Sequence, residues 1–150
     1  MTLPTDIDRA APVVAHHGVD IAAPLGAIWE LHTGVAAWPA WNVEVTAARL
    51  DGPFARGSDF TWTSYGFTVT STLYDVVEHA RTLWGGEAQG ITGIHEWRFE
   101  QTSDGVHVTT SESFAGEPVE ADPGGMQSIL DSSLPAWLAR LKHAAETGSA

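Results

Sequence analysis

Hydrophobic and polar residues alternate with a period of two over most of the chain. The first alternating stretch runs from Val13 to Ile21, and six more lie at about residues 43–50, 57–65, 67–77, 80–88, 92–101 and 106–115. Such alternation is typical of β-strands with one buried face. Short segments with turn residues, such as Gly66 and Gly90, separate the later stretches, and short connections join antiparallel neighbours. The pattern therefore predicts seven antiparallel strands.

The C-terminal part of the chain has a helical period instead. From Pro123 to Glu146, apolar residues recur every three or four positions on one helix face: Met126, Ile129, Leu130, Leu134, Trp137, Leu138 and Leu141. Asp122 is a good N-cap, and proline suits the first helical turn because its missing N–H needs no partner there. Pro135 lies inside the helix and is expected to kink it. This long apolar stripe needs the predicted sheet as its packing partner.

Two short helices are predicted between the first and second strands, at about residues 24–33 and 35–40. The chain thus has an α+β fold, in which a curved seven-stranded antiparallel sheet wraps around a long C-terminal helix. We expect residues 1–10 to form a flexible N-terminal arm, residues 11–146 to form a single domain, and residues 147–150 to form a C-terminal tail. A chain of 150 residues is long enough for one hydrophobic core.

Composition excludes several classes of function. The formal net charge is −12, and only seven Lys and Arg residues are scattered along the chain, which argues against binding nucleic acid or anionic membranes. No apolar run approaches the length of a membrane span, and the N-terminus lacks the apolar region of a signal peptide, so we expect a cytoplasmic protein without membrane insertion. There is no cysteine, and the seven histidines show no helical i, i+4 pair, so no metal site is predicted.

Several local motifs occur in a characteristic order. They are Ile21-Ala22-Ala23-Pro24, Trp38-Pro39-Ala40-Trp41-Asn42, Leu83-Trp84-Gly85-Gly86, His95-Glu96-Trp97-Arg98-Phe99 and Leu134-Pro135-Ala136-Trp137-Leu138. With the order of elements, they make residues 12–146 resemble the START-related helix-grip (SRPBCC) superfamily, and within it the polyketide cyclase/dehydrase-like branch. The resemblance implies a helix-grip fold. It also implies that Trp38 and Trp41 lie in a short helical segment that covers the mouth of a cavity.

A curved sheet and a helix that do not close on each other leave a pocket, and the seven tryptophans suggest aromatic walls for it. Strand parity and the helical stripe predict which side chains face this cavity. The predicted ligand-binding residues are His17, Trp38, Trp41, Phe60, Trp62, Phe67, Val69, Ser71, Trp84, Trp97, Phe99, Thr110, Met126, Leu130, Ser133 and Trp137.

His95 and Glu112 are the predicted catalytic pair. They lie on neighbouring strands and share the inward face. A four-residue loop between these strands places His95 directly opposite Glu112, whereas a two-residue Asp104-Gly105 turn places it one diagonal step away. Asp-Gly favours the two-residue turn. In either register the two Cβ atoms lie within about 5–8 Å of each other.

The ionisation of this pair has two alternatives. A histidine partner would keep Glu112 ionised and would raise the pKa of the histidine, because opposite charges stabilise each other. Without such a partner, the apolar wall would raise the pKa of Glu112, which would then serve as a general acid or base.

We therefore expect the chain to bind a hydrophobic, aromatic or polyketide-like small molecule. The resemblance implies cyclisation and dehydration by acid–base chemistry, which needs no cofactor. The alternatives are a non-catalytic carrier, sequestering or sensing protein and a protein-interaction module. The alternation along the strands places no arginine on the face of the cavity, where it could polarise a carbonyl group of the ligand. This favours binding without catalysis. An outward cluster of Trp29, Trp38 and Trp41 would favour the interaction module. The chain is expected to be a monomer or homodimer.

Overall fold

The structure is a computed structural model, and it describes residues 2–148. The alternating stretches form strands and the helical stretches form helices, in the predicted order. The elements are β1 (Val13–Ile21), α1 (Leu25–Thr33), a 3₁₀ turn (Val35–Ala37), α2 (Trp38–Trp41), β2 (Val45–Leu50), β3 (Asp59–Ser64), β4 (Phe67–Val77), β5 (Arg81–Ala88), β6 (Ile91–Gln101), β7 (Val106–Ala115), α3 (Glu117–Ala121) and α4 (Pro123–Thr147).

All seven strands belong to one antiparallel sheet with the order β1-β7-β6-β5-β4-β3-β2. Irregular register near Thr46 on β2 and Tyr74 on β4 bends the sheet, because a bulge increases the local twist. At Gly85 a Cβ atom would collide with the backbone carbonyl of Gly93, so glycine permits the close approach of these strands. These features confirm the predicted α+β fold and its curved sheet.

The hairpin between β6 and β7 differs from the favoured prediction. Gln101 pairs with Val106, so the connection has four residues, and His95 lies directly opposite Glu112. The two-residue turn is wrong because it would need Asp104 at positive φ, and only Gly105 adopts a positive φ in this loop. The backbone N–H of Thr102 instead donates to the carbonyl of Gly105 at 2.8 Å and closes the loop.

Helix α4 packs along β1 with most of its predicted stripe buried, notably Leu130, Leu134, Trp137, Leu138 and Leu141. Asp122 is the predicted N-cap, and its carboxylate accepts from the backbone N–H of Gly125 at 3.0 Å. Ile129 was predicted in the stripe, but 52% of it is exposed because nothing within residues 2–148 covers that side of α4. The helix continues through Pro135, and a kink there stays a prediction.

The outer, convex face of the sheet carries the N-terminal segment. Ile7 is buried, and the backbone N–H of Asp8 donates to the hydroxyl of Ser113 on β7. Arg81 on β5 donates to the carbonyl of Thr5 and pairs with the buried carboxylate of Glu96 at 2.7 Å. The flexibility of residues 1–10 stays a prediction, but these contacts attach the segment to the sheet.

Two short regions near the C-terminus refine the predicted boundaries. Helix α3 was not predicted, and it buries Val119 between the sheet and α4. Helix α4 extends to Thr147, so the predicted tail begins inside the helix. Residues 149–150 of that tail lie outside the described residues.

Candidate functional site

Aromatic rings from both layers meet in the middle of the concave face. Trp38 on α2 packs edge to face on Phe60 and Trp137, with ring centroids 5.5 and 5.3 Å apart. Trp84 and Trp97 extend the contacts along β5 and β6. We call this set the ring cluster, and its members are His32, Trp38, Phe60, Trp62, Trp84, His95, Trp97, Phe99 and Trp137.

The ring cluster lies where the sequence predicts a cavity. Trp38 and Trp97 are fully buried, and their ring centroids lie 5.7 and 5.5 Å from those of Trp84 and Trp137, respectively. Two open surface grooves of about 450 and 430 Å³ lie elsewhere, one between β1 and α4 and the other on β2 and β3. A ligand cavity among the rings therefore stays a prediction.

His95 stands at the edge of the ring cluster with both ring nitrogens near polar groups. Its Nε2 lies 2.6 Å from the hydroxyl of Thr110, and that hydroxyl donates to the backbone carbonyl of Glu96 at 2.9 Å. Its Nδ1 lies 3.6 Å from Oε1 of Glu112. Burial lowers the pKa of His95 to about 3, so the imidazole is neutral at physiological pH.

Glu112 projects from β7 onto the same face, with 16% of its side chain exposed. Burial raises the pKa of its carboxyl group to about 8. The contact with His95 is longer than a hydrogen bond, and within residues 2–148 no hydrogen bond reaches this carboxyl group. The first alternative, in which a charged histidine keeps Glu112 ionised, is therefore wrong, because desolvation of both groups outweighs their attraction. The second alternative, a raised pKa of Glu112, agrees with the structure.

His32 is a member of the site that the sequence analysis missed. It is fully buried on α1, its Nε2 lies 2.8 Å from the hydroxyl of Thr82, and its ring lies 4.9 Å from that of Trp97. Burial, with a smaller effect of His95, lowers the pKa of His32 to about 3. Its position four residues after the buried Ile28 places it on the inward face of α1, and this spacing was the available signal.

Three ring-cluster residues carry buried nitrogen atoms without a hydrogen-bond partner in the described chain. They are Nδ1 of His32, Nε1 of Trp97 and Nε1 of Trp137. A buried polar atom without a partner destabilises a fold by about 1–3 kcal/mol. The interior thus retains hydrogen-bonding capacity that the protein itself does not use.

The other predicted residues lie in several environments. Ser71 is buried, and its hydroxyl accepts from the indole N–H of Trp62 at 3.1 Å. Trp41 is buried in the main core without a ring contact to the cluster. His17 lies apart, in the middle of the edge strand β1, where it pairs with Asp131 of α4 at 2.7 Å.

A second, smaller apolar cluster lies near the start of α4. It contains the predicted Leu130, with Met126 packed against its border. The predicted Ser133 is half-buried one turn further along the helix.

The hairpin of β3 and β4 leaves an opening beside these groups. Trp62, Val69 and Phe67 share the concave face by register, and their exposure increases toward the turn until Phe67 is 56% exposed. Ile129 on α4 is also exposed. The apolar inner face of this hairpin is therefore accessible to solvent at one end of the ring cluster.

The match to a known family follows the same boundaries as the fold. Residues 12–146 match the family described as polyketide cyclase/dehydrase and lipid transport. The chain belongs to this family. It is 24% identical over 138 residues to a candidate polyketide cyclase of Streptomyces cyaneus, covering 83% of this chain and 88% of that protein.

Solved structures confirm the predicted helix-grip fold of this family member. A START superfamily protein of Mycobacterium smegmatis superposes with a TM-score of 0.75 at 15% identity, covering 91% of this chain and 99% of that one. The di-domain ARO/CYC BexL of the BE-7585A biosynthetic pathway superposes with a TM-score of 0.73 at 16% identity, covering 89% of this chain and 50% of that one.

Two structural features are absent from residues 2–148. No group of three or more His, Asp or Glu side chains is placed to hold a metal ion. None of the helices in this part of the family member combines the length and hydropathy needed to cross a membrane.

Proposed function

We propose that this chain takes an apolar, aromatic or polyketide-like molecule between the concave face of the sheet and α4, and that Glu112 and His95 exchange protons with it. The observation that carries the proposal is the state of Glu112, a carboxyl group with a pKa near 8 and no hydrogen bond within the described residues. A carboxyl group kept neutral on an aromatic wall is suited to proton transfer near neutral pH.

The ring cluster supports the choice of ligand class. The flat aromatic side chains of the ring cluster can stack on the rings of a ligand. The indole nitrogens of Trp97 and Trp137, which have no partner in the described chain, are hydrogen-bond donors. A planar ligand with carbonyl or phenol oxygens would satisfy both features at once. The names of its relatives, a candidate polyketide cyclase and a di-domain ARO/CYC protein, agree with this chemistry.

Entry of a ligand among the rings requires some of them to move, because Trp38 and Trp97 are fully buried between other rings. The exposed inner face of the β3–β4 hairpin provides a first apolar surface, and Trp62 lies between it and Trp137 at a ring distance of 5.7 Å. We expect the ligand to displace these two indole rings and to reach Glu112 from this side.

The proposed chemistry balances without a co-reactant. In an aldol closure a base removes a proton from the carbon next to one carbonyl group, and the resulting carbanion forms a bond to a second carbonyl carbon. An acid gives one proton to the oxygen of that second carbonyl. Dehydration then releases one molecule of water. With a pKa near 8, Glu112 is present in both acid and base forms around neutral pH.

Native mass spectrometry tests the proposal on the purified chain, before and after incubation with an extract of the source cells. We expect a small molecule that is retained under native conditions and released on unfolding. Glu112→Gln should retain the molecule but lose its conversion. Glu100→Gln is the control, because it removes an exposed carboxylate from β6. A chain that captures nothing, or a Glu112→Gln variant with unchanged binding and conversion, contradicts the proposal.

The second candidate is a non-catalytic carrier or sensor of a hydrophobic metabolite. It is favoured by the position of Arg81, whose charge lies on the convex face among Asp75 and Glu96 and not beside the ring cluster. Binding without conversion in the same experiment would support it. The interaction module is less favoured, because Trp29, Trp38 and Trp41 are buried rather than exposed as a cluster.

A further inference from the structure

The hydroxyl of Thr110 links the candidate catalytic pair to the backbone of the sheet. It lies on β7 within hydrogen-bond distance of two groups, Nε2 of His95 at 2.6 Å and the carbonyl oxygen of Glu96 at 2.9 Å. Thr110 is 1% exposed and His95 is 2% exposed, so solvent does not supply alternative partners.

The chemistry of the two partners fixes the direction of both bonds. A backbone carbonyl oxygen only accepts, so the single hydroxyl proton of Thr110 is directed to Glu96. The hydroxyl oxygen then has only lone pairs to offer His95, and Nε2 must carry the proton of the neutral imidazole. The other ring nitrogen, Nδ1, is consequently an acceptor, and it lies 3.6 Å from Oε1 of Glu112.

We infer that Thr110 is a positioning residue, whose hydroxyl holds His95 in the tautomer with its Nδ1 lone pair toward Glu112. The inference rests on the proposed function, because it assigns Thr110 a role in preparing the same pair. In this arrangement a protonated Glu112 has an acceptor beside it, and a small approach of the two side chains completes a hydrogen bond. The opposite tautomer would place an N–H there and would favour the carboxylate.

Other titratable groups around the pair have partners of their own. His32 on α1 binds the hydroxyl of Thr82. His17 on β1 binds Asp131 of α4. The neighbours of His95 from β5 and α4 are the indoles of Trp84 and Trp137, which carry no charge. The hydroxyl of Thr110 is therefore the group in position to select the tautomer.

The test is nitrogen-15 NMR of the ligand-free chain, which reports the tautomer of each histidine directly. In the wild-type chain at neutral pH, we expect His95 to be neutral and protonated on Nε2. Thr110→Val keeps the shape of the side chain but removes the acceptor, so the tautomer ratio should move at least about tenfold toward Nδ1–H. Thr110→Ser is the matched control and should retain the wild-type tautomer because it keeps the hydroxyl.

A second readout is the carboxyl carbon-13 titration of Glu112. In Thr110→Val its pKa should fall, because an N–H at Nδ1 stabilises the carboxylate, whereas Thr110→Ser should keep the wild-type value. The inference is overturned if wild-type His95 is protonated on Nδ1 or is cationic. It is equally overturned if the valine variant keeps the wild-type tautomer, or if the serine variant shifts as far.

These outcomes are separable from those of the proposed function. The NMR measurements need no ligand. If the expected tautomers are found but the chain binds no small molecule, the role of Thr110 is supported and the proposed function is contradicted. If the chain binds and converts a ligand but His95 does not show the expected tautomers, the proposed function is supported and only the role of Thr110 is contradicted.

Discussion

The raised pKa of Glu112 has a direct consequence for stability, which Glu112→Gln tests. The carboxyl group titrates at about 8 in the folded chain, against an ordinary value of 4.5. Between these pH values the folded chain holds a proton at this residue that the unfolded chain has released. Titration of Glu112 therefore leaves the free energy of unfolding unchanged below about pH 4.5. It lowers this free energy increasingly as the pH rises above that value, and the decrease levels off above about pH 8.

The magnitude follows from the size of the shift. Each pH unit in this window lowers the free energy of unfolding by about 1.4 kcal/mol, so between about pH 5.5 and about pH 8 wild type should lose about 3 kcal/mol relative to Glu112→Gln. His32 and His95 have lowered pKa values and contribute stability that is lost on acidification below their ordinary value of 6.5. Wild type and Glu112→Gln both contain these histidines, so the histidine contribution cancels in the difference between their free energies of unfolding.

Urea unfolding of wild type and Glu112→Gln at several pH values measures this difference. A change of about 3 kcal/mol corresponds to about 6–12 °C in melting temperature for a chain of this size. Glu100→Gln controls for the change in net charge, since its carboxylate is exposed. Parallel stability curves for wild type and Glu112→Gln across this pH range would refute the reasoning, because they would mean that Glu112 titrates alike in both states.

Three further substitutions test the ring cluster, the buried ion pair and the helix N-cap. Trp38→Ala should lower the free energy of unfolding by about 3–5 kcal/mol in urea, since it empties the centre of the ring cluster; a loss below about 1 kcal/mol would mean that the rings are loosely packed. Arg81→Met should cost about 2–3 kcal/mol, because it removes the closest cation from the buried carboxylate of Glu96 and leaves only the more exposed Arg98 at 3.1 Å, and partial recovery in the double variant with Glu96→Gln checks the cause. Asp122→Ala should cost about 1 kcal/mol through loss of the N-cap, whereas Asp122→Asn should retain most of it, and equal losses would contradict a capping role.

The elements of the fold were predictable because they depend on short-range periodicity. A side chain in a strand or helix faces the core or the solvent according to its position in the repeat, so alternation from Val13 onward and the stripe of α4 determined the element order. Ile129 shows the limit of this reasoning. It fits the helical stripe but is exposed, because the position of the sheet, and not the period, decides how wide the buried face of α4 is.

The hairpin between β6 and β7 shows a second limit. The registers with a two-residue and a four-residue connection differ by two residues, and a shift of two leaves every side chain on the same face. Binary patterning therefore cannot distinguish them. The conformation of Asp104 and the hydrogen bond from Thr102 to Gly105 decided the register, and with it the direct opposition of His95 and Glu112.

The sequence by itself determined the strands, the long helix, their order, and the shared inward face of His95 and Glu112. Only the tertiary structure decided that tryptophans from five elements meet between sheet and helix, that His32 joins them, and that burial keeps Glu112 protonated. The physical reason is range. Periodicity acts over a few residues, whereas packing volume and desolvation are sums over side chains that are distant in the chain and become neighbours only in the folded state.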